Sequence, residues 1–125
     1  MKMLDGGVLL LDMSGLLTAK ALAEFAAKAA QTYGEVAVGF VLDYRRGSIL
    51  ATSYELGRLV DMIEPGSPIA RPGAFVTTPA NVDLMMAHAE RMAWRGMWRR
   101  VFYELDDAAD WVRSRASLPS SLRQA

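Results

Sequence analysis

Two stretches of the chain hold the polar residues best placed to do chemistry. In the first, Asp43 closes the apolar run 36–42, and Ser48, Thr52 and Ser53 follow before a helical pattern begins. Open α/β sheets bind ligands in loops at the carboxyl ends of their strands, so Asp43, Ser48, Thr52 and Ser53 are binding candidates. A simpler reading stands beside it. Asp43 ends a strand, and Thr52 with Glu55 has the spacing of a capping box. The second stretch, 91–100, holds Arg91, Trp94, Arg95, Trp98, Arg99 and Arg100 and no acid, a local charge of +4. Trp and Arg are enriched at the centres of protein interfaces. They also meet phospholipid headgroups or stack on RNA. The alternative is that one Trp is core, the other covers a sheet edge and the arginines are solvated.

Other chemistries are excluded or weak. Cys is absent, which removes disulfides, thiolate metal sites and cysteine nucleophiles. His88 is the single histidine, and no Gly-x-Ser-x-Gly elbow accompanies it, so it reads as a surface or hydrogen-bonded helix residue. Gly6-Gly7 precedes a strand, the wrong side for a dinucleotide loop. The acids are scattered or gather at a helix start, so neither metal nor cofactor is expected. Met85, Met86, Met92 and Met97 read as adaptable core filling or as the lining of an apolar ligand pocket. With 14 basic and 14 acidic residues the net charge is zero, which argues against nucleic-acid binding.

The elements that must position these groups alternate. The length, 125 residues with 52% apolar, predicts one domain over 1–115 and a frayed tail over 116–125. Strands are expected at 7–13, 36–42, 73–77 and 99–104. Helices are expected at 19–33 after a Thr18 cap, from Thr52 to before Pro65, at 82–95 and from an Asp106 cap to 115. The second strand, apolar without alternation, should be buried on both faces. The first helix carries a stripe of Ala19, Leu22, Ala23, Ala26, Ala29, Ala30 and Tyr33, small enough to lie close on a sheet. The third should bury Val82, Met85, Met86, Ala89, Met92 and Ala93. Repeated strand–helix units predict a mostly parallel sheet of about four strands with about four helices. The early apolar run Val8 to Leu11 is too short for a signal core or a membrane span, so a cytoplasmic protein is expected.

This pattern resembles the SpoIIAA-like domains, which belong with STAS domains and share features with the CRAL-TRIO lipid-binding fold. The resemblance rests on the first strand followed by Ser14-Gly15-Leu16-Leu17-Thr18, the strand ending Leu42-Asp43, and 74–78 followed by Pro79-Ala80. Val101-Phe102-Tyr103 followed by Asp106-Asp107-Ala108-Ala109-Asp110-Trp111-Val112 completes it. It implies a non-enzymatic binding module. In the antagonist branch a partner kinase phosphorylates a serine where this chain has Ser48 to Ser53. Here the Asp-Ser-Ser-Gly pattern is missing, and Tyr54 stands in place of its glycine.

The first reading is therefore a regulatory protein-binding module with a Ser/Thr switch. It would self-associate as a homodimer through Arg91, Trp94, Arg95, Trp98 and Arg99, set against the acidic segment 104–110. The second is a carrier or sensor of a small apolar or lipid ligand. An enzyme ranks last, because no acid–base or nucleophile constellation can be assembled.

Overall fold

In a computed structural model of the protein, residues 1–118 are described. The main sheet contains β1 (Lys2–Met3), β2 (Val8–Asp12), β4 (Gly39–Asp43), β6 (Gly73–Val76) and β7 (Arg99–Phe102), in the spatial order β1-β2-β4-β6-β7. β1 is antiparallel to β2, and every other pair is parallel. A second, two-stranded parallel sheet pairs β3 (Gly15–Leu17) with β5 (Gly47–Ile49). The helices are α1 (Ala19–Tyr33), α2 (Ser53–Asp61), α3 (Val82–Trp94) and α4 (Leu105–Ala116). The chain is thus a single α/β domain with a mostly parallel mixed sheet. None of the helices among the described residues is long and apolar enough to cross a membrane.

Strand alternation sorts the core into two halves. Val8, Val41, Ala74 and Val76 point to one face, where Ala108, Ala109 and Val112 of α4 cover them. Leu9, Leu11, Phe40 and Phe75 point to the other, shared by α1, α2 and α3. One helix therefore covers the first face and three share the second.

Several boundaries depart from the sequence expectation. The second strand begins at Gly39 because the end of α1 claims the preceding backbone. The Val36 and Ala37 N–H groups both donate to the Tyr33 carbonyl, and Val36 and Val38 are exposed. The stretch 44–50, read as loop, contains β5. Its three residues carry no apolar run, and its pairing with β3 is visible only in three dimensions. Asp106 lies in the first turn of α4 and makes no cap; Glu104 holds the cap position without a side-chain bond. In α3, Met86 and Ala93 face solvent, and only Met85, Ala89 and Met92 are buried. Of the tail 116–125, Ala116 still belongs to α4, and residues 119–125 lie outside the described residues.

The alanine stripe of α1 departs most. α1 packs on β3, α2 and the 3-10 turn Pro68–Ala70, not closely on the main sheet. Methyl groups reach only a short way from the helix, so a space remains beneath it.

Candidate functional site

That space is a cavity of about 420 Å³. Its floor is the sheet: Leu11, Phe40, Leu42, Phe75 and, just past two strand ends, Met13 and Tyr44. Leu22, Phe25 and four alanines (Ala23, Ala26, Ala27 and Ala30) come from α1. Leu56, Leu59 and Val60 come from α2, followed by Ile63, and His88 and Met92 come from α3. The lining is almost wholly apolar, and the volume falls in the range of small-molecule sites.

Five polar side chains interrupt it: Ser67 and the exposed Glu64, and three that lie deeper, Arg99, His88 and Tyr44. Arg99, at the start of β7, alternates with Val101 and shares the cavity face. Its register partner is Gly73, whose missing side chain leaves room for the guanidinium. Arg99 Nη1 donates to the Arg71 carbonyl at 2.6 Å and to that of Trp98 at 2.8 Å, and Nη2 donates to the Ile69 carbonyl. Its Nε is shut off from solvent and has no hydrogen-bond partner among the described residues. No carboxylate there pairs with it either. Burial lowers its pKa to about 10, with Tyr44 opposing the shift, so it stays charged at neutral pH.

His88 stacks on Phe75 with ring centroids 5.3 Å apart, and Tyr44 meets the same ring edge-on at 5.9 Å. Burial, then the charges of Arg99 and Arg91, lowers the His88 pKa to about 4, so the imidazole is neutral at pH 7. Its Nδ1 is buried and unpartnered among the described residues, where a surface or a hydrogen-bonded histidine was expected. Burial pushes the Tyr44 hydroxyl upward, which keeps its proton on.

Of the residues singled out in the sequence, Arg99, His88 and Met92 line this cavity; Met85, Met86 and Met97 do not, and neither do Asp43, Ser48, Thr52 and Ser53. Asp43 is buried and faces back onto its own loop. Arg45 Nε donates to Oδ1 at 2.9 Å, Nη2 to Oδ2 at 2.8 Å and the Arg45 N–H to Oδ1 at 3.1 Å. The Arg45 bond holds this carboxyl below its usual range, against the opposing effect of burial. Thr52 caps α2: its hydroxyl accepts from the Glu55 N–H at 3.1 Å, and Glu55 Oε1 accepts from the Thr52 N–H at 3.0 Å. Ser48 lies exposed on β5, and Ser53 exposed at the first position of α2.

The Arg/Trp stretch divides four ways. Arg91 and Arg95 both turn to Asp61 of α2, at 3.0 and 3.6 Å, and Arg91 also lies over Gly57. Trp94 stays 84% exposed. Trp98 lies under the Arg115 guanidinium, 4.7 Å from its ring centroid. Arg99 enters the cavity.

Sequence reasoning missed Tyr44 and His88 as lining residues and placed Arg99 on the surface. The usable signal for Arg99 was alternation, since it and Val101 are two apart on a strand. Among the described residues no group of three or more His, Asp or Glu is placed to hold a metal ion. Comparison with models of known families, with curated proteins and with solved structures finds no match.

Proposed function

We propose that the protein binds a small apolar ligand in the cavity beneath α1, as a carrier or sensor. The observation that carries this is the 420 Å³ space lined by side chains of three helices and the sheet. A domain of this size normally closes such a volume, because interiors pack to crystal density and few voids exceed a water molecule. The alanines of α1 leave it open. The SpoIIAA-like resemblance, with its link to a lipid-binding fold, agrees with this reading. Support for the protein-binding reading is thinner. Asp61 draws Arg91 and Arg95 into contacts within the chain, which leaves Trp94 as the exposed aromatic of that patch.

The test uses N-phenylnaphthylamine, a neutral apolar dye whose fluorescence rises on leaving water. The protein should bind it saturably with one-to-one stoichiometry. Ala26→Phe, which fills the cavity from α1, should abolish binding while the variant melts cooperatively; Ala30→Leu serves the same purpose. Binding unchanged in both folded variants, or no binding by the parent protein, overturns the proposal.

A further inference from the structure

The cavity has a polar end. Arg99, His88 and Tyr44 all line it, and Arg99 is close enough to the other two for its charge to act on both. The rest of the lining is hydrocarbon apart from Ser67 and the solvent-exposed Glu64.

An ionised group removed from water is costly unless paired. Arg99 offsets part of that cost through the Ile69, Arg71 and Trp98 carbonyls. Carbonyls solvate a cation but do not neutralise it. Among the described residues the Nε of the guanidinium has no partner, and neither has His88 Nδ1. Two unpartnered nitrogens beside an uncompensated positive charge, at one end of an apolar space, describe a complement with a hydrocarbon body and a singly charged acceptor head.

Resting on the reading of the cavity as a ligand site, we propose that its ligand is a medium-chain carboxylate whose head is held by Arg99 Nε and His88 Nδ1, with Tyr44 beside them. A carboxylate fits better than a phosphate monoester, since one cation neutralises one charge and two N–H donors match two carboxylate oxygens. The 420 Å³ equals roughly fourteen water volumes at about 30 Å³ each, enough for a ligand of about a dozen heavy atoms such as decanoate. Neither nitrogen touches solvent, so the head reaches them as the Arg99 or His88 side chain rotates. His88, neutral at pH 7, donates from Nδ1 in the tautomer that carries the proton there.

The experiment compares decanoate, decanol and decyl phosphate by calorimetric titration of the full chain at pH 7.5. Decanoate should bind at least tenfold more tightly than decanol, and more tightly than decyl phosphate. Arg99→Met should erase the preference for decanoate over decanol. Where that variant fails to fold, His88→Phe should reduce the preference severalfold. Equal affinity for decanoate and decanol overturns the assignment of an anionic head while leaving the apolar site standing. Tighter binding of decyl phosphate overturns the choice of carboxylate. No binding of any of the three, with the dye also failing to bind, overturns both readings together.

Discussion

Gly73 lies directly opposite Arg99 in the parallel pairing of β6 and β7, and a Cβ on Gly73 would fall 3.1 Å from Arg99 Nε. The glycine is what permits a long cationic side chain to fold along the sheet face. Gly73→Ala should therefore push the guanidinium aside and weaken decanoate binding severalfold with decanol binding unchanged. Gly73→Val, a larger insertion into a packed site, should cost about 1–3 kcal/mol of stability. Urea unfolding and titration check the two effects. An alanine variant with unaltered decanoate affinity would mean that Arg99 does not set the head position.

The capping box at the start of α2 gives a second expectation. Thr52→Ala removes the acceptor for the Glu55 N–H and should cost about 1 kcal/mol, whereas Thr52→Asp should be close to neutral because Asp also caps. Chemical denaturation of both variants decides the matter. Equal losses in the two would show that the hydroxyl bond is not the source of the stability.

His88 predicts a pH dependence with a definite sign. Its pKa is about 4 in the folded chain and about 6.5 when unfolded. The unfolded chain therefore takes up a proton that the folded chain refuses. The contribution to stability is complete above about pH 6.5 and is lost as pH falls toward 4, by roughly 3 kcal/mol at most. Asp43, held below the usual carboxylate range, adds its own loss at lower pH. Denaturation midpoints between pH 7.5 and pH 4.5 should fall in the parent protein and fall less in His88→Phe. Parallel profiles would show that His88 is not the group responsible.

Arg45 occupies both oxygens of the buried Asp43. Arg45→Ala should leave that carboxylate without its charged donor and cost about 2 kcal/mol. Asp43→Asn in the same background should recover part of the loss, since it removes the stranded charge. A double variant no more stable than Arg45→Ala alone would argue against this pairing as the reason the loop holds its shape.

The elements and their order were legible because periodicity and caps act locally. Thr18 and Thr52 cap their helices as expected, and the short apolar run from Val8 to Leu11, flanked by turn residues, forms a strand. The cavity was not legible. An alanine stripe is compatible with close packing and with standing off, and only the supports of α1 at β3, α2 and the turn Pro68–Ala70 decide between them. Arg99 was misplaced for a related reason. Arg91 on α3 and Arg95 just past its end are surface-facing, and Arg99 was grouped with them by charge although a strand was expected from that residue on.

Methyl NMR spectra recorded during a decanoate titration test ligand binding beneath α1 most directly, because the sheet has two chemically similar apolar faces. Signals of Leu22, Leu56, Leu59, Val60 and Ile63, which line the cavity, should shift and saturate together. Those of Val8, Val41 and Val76 under α4, and of Val112 on α4 itself, should stay in place. Shifts centred on the α4 face, or none at concentrations that saturate the calorimetric signal, would contradict a ligand site beneath α1.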